Sequence, residues 1–509
     1  MTKMPWVEES SHPGSGERLG REMLVLGGVF VLGAIMTVLD VTVVNVAIPT
    51  LGRAFHASIG TIQWVVTGYM LAFASVIPLT GWASERFGAK RVWIASLLLF
   101  LVGSALAGAA WSLPSLIGFR VVQGLGAGMI LPVGQTILAQ AAGPERMGRV
   151  MSVIGVPMLL APVFGPVLGG AIVDSVSWRW IFYLNLPVGA LALLAAVRLL
   201  PGAKPQLGQR LDLRGLVLLS PGIALFLYGV SEAGNAGGFD ATRAAVTAVG
   251  AALFVLFVGH ALARGRGALI DLSLFGRRGF AAAAATNFLL PVALFGALIL
   301  LPLYYQVVRH QSPLDVGLLL IPQGVGAAVA MPIAGWITDK LGARLVVSAG
   351  LIVAVLGTLA YTDVGADTSY AYLAAALFVL GLGIGSTIMP SMAAAFQTLA
   401  REETPRATSA LNAIQRIAGA IGTATMAIVL QRAIADSLPA LHGGIAGLAR
   451  LSAQQREAVA PQLAHAFATT FWVAVGLIAA AVLPALLLPR ARPRQERPVT
   501  ASPAKQARA

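Results

Sequence analysis

Cysteine is absent from the 509 residues, which excludes disulfide frameworks, thiolate metal sites and thiol nucleophiles together. Charge is scarce as well: Asp, Glu, Lys and Arg make up 11% of the chain, about half the share usual in globular domains. With 57% of residues hydrophobic, no soluble fold can hide the apolar side chains. Soluble enzymes, secreted scaffolds and disordered chains are thereby excluded. No Gly-x-x-x-x-Gly-Lys-Ser/Thr phosphate loop occurs, so ATP is not the expected energy source. The His/Asp cluster that a membrane transferase needs at one face is missing, as are the charge rings of a channel. No catalytic residue, metal site or cofactor is expected.

What is present is long apolar runs. They fall near 23–49, 61–83, 92–111, 114–141, 147–173, 178–200, 213–231, 243–263, 279–308, 314–337, 345–362, 371–399, 407–431 and 467–489. Each approaches the length of about 20 residues that spans a bilayer, so the chain reads as an all-α integral membrane protein of fourteen spans. The first run is too long for a signal-peptide core and reads as a retained span. Net charge is +14, but the basic residues sit in the gaps between runs. With the N-terminus inside, roughly 26 of the 35 Lys and Arg fall in cytoplasmic gaps and roughly 7 outside, which the positive-inside rule reads as both termini cytoplasmic. The basic tail, 490–509, then lies against anionic lipid, and no nucleic-acid partner is expected. The long gap 432–466 is expected outside, with a mildly amphipathic stretch, Ser452 to Phe467, lying on the outer surface.

One segment occurs twice. Pro78-Leu-Thr-Gly81-Trp82-Ala-Ser-Glu85-Arg86-Phe-Gly88-Ala-Lys90 returns as Pro332-Ile-Ala-Gly335-Trp336-Ile-Thr-Asp339-Lys340-Leu-Gly342-Ala-Arg344. Both copies close a span at its inner end, which predicts two parallel halves about an axis along the membrane normal. The expected organisation is a cytoplasmic segment 1–22, a six-helix bundle 23–200, a linker with two additional helices 201–278, a second six-helix bundle 279–489 and the tail 490–509. Gly88 and Gly342 allow the sharp reversal, while the acid, Glu85 or Asp339, can sit at a neighbouring helix N-terminus and Arg86 or Lys340 can pair with it or reach lipid. Gly81 and Gly335 complete this expected latch. The alternative is a solvated charged turn.

With these residues the chain resembles the major facilitator superfamily, and within it the fourteen-span drug:proton antiporters. The repeated loop is similar to the superfamily signature, with Glu85 where the family usually has Asp. Leu39-Asp40-Val-Thr42-Val-Val-Asn45 in span 1, Arg120-Val-Val-Gln123-Gly124-Leu-Gly126 in span 4, Gly165-Pro166-Val-Leu-Gly169-Gly170 in span 5 and Trp178-Arg179-Trp180-Ile-Phe182-Tyr-Leu-Asn185-Leu-Pro187 at span 6 each resemble motifs of that subfamily. The resemblance implies a multi-pass carrier of the cell membrane that exports hydrophobic or amphipathic small molecules, with the proton as coupling ion. A dedicated exporter of a lipid, metabolite or self-made antibiotic is the alternative on the same fold.

Independently of any family, Asp40, Arg120 and Arg416 are the ionisable residues that fall well inside runs. A central Asp or Arg costs about 2.5–3.5 kcal/mol on insertion scales, so each needs a partner or a wet cavity. Asp40 and Arg120 are expected to pair, either as a static packing device or as a proton site: burial favours the neutral acid, a guanidinium favours the carboxylate, and access tips the balance. Arg120, Gly124 and Gly128 share a face that admits another helix closely. Asn45, Gln123, Tyr305, Gln306, Asn412 and Arg416 are the candidates for a substrate cavity. Arg416 is equally open to structural pairing, and Tyr305 and Gln306 to a membrane-interface belt. Gly165, Pro166, Gly169 and Gly170 are read as a gating element between the halves. Trp64 is expected at the interface, and His260 and His465 as solvated or capping residues.

Overall fold

A computed structural model describes residues 21–143, 146–202, 210–397, 399–439 and 453–489. The N-terminal segment up to 20, the tail 490–509 and the centre of the 432–466 gap therefore lie outside the described residues. Among those described, secondary structure is entirely helical. In chain order the α-helices are α1 (Arg21–Ala54), α2 (Ile59–Ile62), α3 (Trp64–Val76), α4 (Leu79–Phe87), α5 (Ala89–Gly108), α6 (Leu113–Ala142), α7 (Met147–Ser175), α8 (Trp180–Tyr183), α9 (Asn185–Leu199), α10 (Leu213–Ala236) and α11 (Ala241–Arg264). They continue as α12 (Arg278–Val307), α13 (Pro313–Leu319), α14 (Ile321–Leu341), α15 (Ala343–Leu359), α16 (Tyr370–Gly385), α17 (Ile388–Phe396), α18 (Thr404–Ser437) and α19 (Ala453–Ala485).

Eleven helical segments are long and apolar enough to cross a membrane, and twelve if α3 and α4, bent by 56° where Pro78 interrupts the helix, count as one. The two remaining expected runs are α7, and α15, which is apolar but only 17 residues long. One expectation is corrected outright. The stretch Ser452 to Phe467 does not lie apart on the surface: from Ala453 it forms the first turns of α19, which runs unbroken through Pro461 to Ala485. With α18 reaching Ser437 and α19 starting at Ala453, much of the expected 432–466 gap is helical, and 440–452 lies outside the described residues.

The packing has a repeating pattern. Upstream, α1 packs on α7, α5 on α6 and α3 on α6; downstream, α12 packs on α18, α15 on α16 and α14 on α16. The helices α10 and α11 pack on each other, and α10 touches both α3 and α18. Contacts between upstream and downstream helices run through α7 with α14 and α17, and through α18 with α4 and α6. The turns after α4 and α14 are made the same way, by Gly88 at φ 85° and Gly342 at φ 87°. A side chain is strained in that region, so glycine is what lets each repeated segment reverse direction in one residue.

Candidate functional site

The register of α6 is set at its start, where Ser112 and Ser115 cap each other's backbone N–H and Pro114 occupies the first turn. Two turns on, this places Arg120 and Gln123 inward, both fully buried. A Cβ at Gly124 or Gly128 would run into the backbone of α3 at Tyr69 and Phe73, so these glycines set how closely α3 and α6 approach. Asp40 projects from α1 into the same space with no accessible side-chain surface.

Three donors converge on that carboxylate. Arg120 Nη1 donates to Oδ2 at 2.5 Å, Gln123 Nε2 to Oδ1 at 2.8 Å, and Asn185 Nδ2 to Oδ1 at 3.0 Å. Asn185, at the start of α9, also donates to Ser104 Oγ at 3.0 Å, whose own hydroxyl donates to the Phe182 carbonyl at 2.8 Å. Arg120 is shared further: Nη1 reaches Gln123 Oε1 at 2.7 Å and Nε the Val65 carbonyl at 3.2 Å, while its Cζ lies 4.1 Å over the Tyr69 ring. The Tyr69 hydroxyl and Arg120 Nη2 are buried without a hydrogen-bond partner among the described residues. The site therefore joins α1, α3, α6 and α9 around one acid. Ser104 was missed from sequence, because a single Ser in an apolar run carries no signal of what it faces, and Asn185 stood in the Trp178 to Pro187 motif with no partner assigned to it.

Arg416 on α18 lies on the same side of the molecule's interior. Its Cζ is 4.2 Å over the ring of Phe73, one turn along α3 from Tyr69. Two guanidiniums thus rest on successive aromatic rings of one helix, Arg120 on Tyr69 and Arg416 on Phe73. No carboxylate pairs with Arg416 among the described residues.

The repeated segments make a second pair of sites, one joining α4 to α18 and the other α14 to α7. Glu85 is buried and bidentate to Arg406 at the start of α18: Nε donates to Oε1 at 2.9 Å and Oε2 at 3.0 Å, and Nη2 to Oε2 at 2.9 Å. Asp339 accepts from the backbone N–H of Gly148 at 3.0 Å and of Arg149 at 3.3 Å, and from Arg149 Nε at 3.2 Å, at the start of α7. Each acid so reaches the first turn of a helix in the other group. The loop glycines make the crossings possible: a Cβ at Gly81 would lie 3.0 Å from Arg406 Cα, and one at Gly148 would lie 3.0 Å from the Gly335 carbonyl. The same end is held by Ser409 Oγ donating to the Ile77 carbonyl at 2.8 Å and by Asn412 Nδ2 donating to Gln135 Oε1 at 2.7 Å. Arg86 is half-buried beside Glu85, and Lys340 Nζ sits 3.8 Å over the Trp336 ring.

The remaining predicted residues sit in varied surroundings. Tyr305 is buried, with its hydroxyl 3.3 Å from that of Tyr361. Asn412 belongs to the closed contact with Gln135, and Gln123 to the acid's shell. Asn45 and Gln306 are exposed. Gly165 and Gly169 meet Thr42 and Val43 of α1, within the upstream group and not across to the downstream one, and Gly170 faces open space. The Pro166 side chain lies outside the described residues. A cavity of about 320 Å³ opens between the 362–366 loop and α19, lined in part by His465 and Trp472, and none of Asp40, Arg120, Gln123 or Arg416 borders it. Trp64 is exposed and stacks on Tyr228 of α10 at 5.6 Å. His260 pairs with Asp212, as described below. His310 takes φ 52°, a position where glycine is at home.

An all-helical membrane-crossing chain with a buried, shared carboxylate between its helices has the architecture of a multi-pass membrane transporter. The chain belongs to the Major Facilitator Superfamily, whose description matches residues 30–423. It is 41% identical over 508 residues to the multidrug resistance protein B homolog of Mycobacterium tuberculosis (strain H37Rv), covering 95% of this chain and 94% of that one. It is 31% identical over 408 residues to the multidrug export protein EmrB of Escherichia coli K12, covering 79% of each. Among solved structures, the proton:xylose symporter XylE aligns with TM-score 0.62 at 14% identity, over 91% of this chain and 94% of that one. The human organic anion transporter MFSD10 aligns with TM-score 0.60 at 16% identity, over 90% and 99%. At such identities these last two speak for the fold alone.

Proposed function

We propose that this protein is a proton-coupled exporter of hydrophobic or amphipathic small molecules in the bacterial cell membrane, working by alternating access. The observation that carries the reading is the Asp40 carboxylate, buried and shared by Arg120, Gln123 and Asn185. Protonating it removes the charge that compensates Arg120, so the acid and its three donors have two arrangements rather than one. Access from outside loads the proton; access from inside releases it and restores the pair. One charge moving down 100 mV yields about 2.3 kcal/mol and one pH unit about 1.4 kcal/mol. Together these support a several-hundredfold gradient of a neutral substrate per proton, enough for export without ATP.

In this reading α7 and α15 complete fourteen spans, arranged as two six-span halves with α10–α11 inserted, and the latch end is cytoplasmic, as its Lys and Arg require. The Glu85 and Asp339 contacts are then an inner gate in its closed state. Relatives named for multidrug resistance and export favour a broad substrate range over a dedicated one. The test is antibiotic or dye accumulation in expressing cells with and without a protonophore. Accumulation should rise to the level of non-expressing cells when the gradient collapses; accumulation unchanged by the protonophore removes proton coupling, and no effect on any compound favours the dedicated exporter of a lipid, metabolite or self-made antibiotic.

A further inference from the structure

The inserted helix pair is tied into the latch end by a chain of hydrogen bonds that the exporter reading does not use. Arg406 spends part of its guanidinium on Glu85. Its Nη1 points the other way, to the backbone carbonyls of Arg266 and of Ala268, the latter at 3.4 Å. Those carbonyls belong to the segment that links α11 to α12. The segment is not a loose loop, because Ala268, Leu269 and Ile270 are all buried in the main apolar core. Its conformation is fixed on one side by Gly265, which ends α11 at φ 60°, and on the other by Asp212.

Asp212 is the hub. It is the N-cap of α10, its Oδ1 accepting from Gly215 N at 3.1 Å. The same oxygen is 2.8 Å from His260 Nε2 on α11 and 3.7 Å from Arg264 Nε, while Oδ2 accepts from Leu269 N at 3.1 Å. One buried carboxylate thus clamps α10, α11 and the linker together. Burial opposes the charge on Asp212, but the hydrogen bonds from His260, Gly215 and Leu269 outweigh it and hold the carboxyl below its usual range. The route Asp212, Leu269, Ala268, Arg406, Glu85 is continuous, and runs from the inserted pair into the contact between upstream and downstream helices.

We infer that Asp212 is a positioning residue of the inner gate: by holding the 266–269 carbonyls against Arg406, it makes the inserted pair a third arm of the Glu85–Arg406 latch. This rests on the reading of that latch as a gate that opens and closes. The physical reason is satisfaction. A guanidinium whose remaining N–H groups are already bonded has one orientation left for Glu85, whereas one that loses two carbonyl acceptors is held by Glu85 alone and leaves the closed contact more readily.

The absence of native cysteine makes the test direct. Spin labels at Arg91→Cys and Glu402→Cys, both exposed at the latch end on opposite groups, report the closed and open populations as short and long distances in reconstituted protein. Asp212→Ala should lower the closed-to-open ratio by about tenfold, the worth of a hydrogen bond to a charged group. Asp212→Asn, which keeps one acceptor for the Gly215 cap, should give a smaller shift with near-normal thermal stability. In a Glu85→Gln background, where the latch is already broken, Asp212→Ala should add little further shift. An equal shift in both backgrounds, or a loss of thermal stability with the ratio unchanged, overturns the inference and leaves Asp212 a helix cap. A single distance in the unmutated protein under every substrate and pH condition overturns the gate itself, and this inference with it.

Discussion

The two copies of the repeated segment end in latches of different chemistry, and the reason lies in their partners. At the start of α7 the residues in the first turn are Gly148 and Arg149; at the start of α18 they are Pro405 and Arg406. Gly148 offers a backbone N–H and leaves room for a carboxylate beside it, so the short side chain of Asp339 caps the helix, with the helix dipole in its favour, as well as pairing with Arg149. Proline has no N–H to offer. The acid in the other copy must take the guanidinium of Arg406 instead, and Glu85 has the extra methylene with which to reach it. The glutamate that departs from the family pattern therefore answers to a proline some 320 residues downstream in sequence.

The Glu85–Arg406 contact is the more costly one to break. Glu85→Ala leaves Arg406 buried without its counter-ion, a loss of about 3–5 kcal/mol. Chemical denaturation or thermal melting in detergent should register it, and adding Arg406→Leu should recover part of the loss. Gly148→Ala attacks the other latch: the new methyl would lie 2.7 Å from Asp339 Oδ1, so a destabilisation of about 1–3 kcal/mol is expected from overpacking. Asp339→Asn keeps an acceptor but gives up the charge, and about 1–2 kcal/mol should go with the cap, the dipole interaction and the charge-assisted bond from Arg149. A sharper version exchanges the chemistries: Pro405→Gly together with Glu85→Asp should be better tolerated than Glu85→Asp alone, as growth in a drug at fixed expression would show.

The smallest effect concerns a contact beside the first latch. Arg277, just before α12, is bidentate to Glu403, just before α18, at 2.7 Å and 2.5 Å. These hydrogen bonds hold the Glu403 carboxyl below its usual range. A lowered folded-state value means that the contribution is fully present above the ordinary glutamate range and is lost as pH falls through the lowered one. The pair is partly exposed, so solvent screening keeps the contribution under about 1 kcal/mol. Comparing melting temperatures of the unmutated protein and Glu403→Gln between neutral and acidic pH should show their difference shrinking on acidification.

The sequence made some of this visible and concealed the rest, for physical reasons. Charges are so costly within apolar runs that Asp40 and Arg120 could be paired across spans 1 and 4 before any coordinates. The repeat gave both glycine turns and the acids that use them. It gave no hint of Arg406, because a salt bridge across 321 positions leaves no periodic trace. Ser104 was equally silent, being a single polar residue in apolar surroundings, and the motif that holds Asn185 did not show that it faces Asp40. The amphipathic stretch Ser452 to Phe467, expected on the outer surface, opens with Gln454, Gln455, Arg456 and Glu457 and contains Pro461. In the structure they are the polar opening turns of a helix that accommodates that proline.

The central claim is that the Asp40 carboxyl carries the coupling proton, and substrate-driven proton movement in reconstituted vesicles tests it most directly. A pH-sensitive dye trapped inside should report proton flux on adding substrate to the unmutated protein, and none with Asp40→Asn, nor with Asp40→Asn plus Arg120→Gln, which removes both charges so that neither is left buried alone. Flux of undiminished size in a folded Asp40→Asn protein would contradict the account.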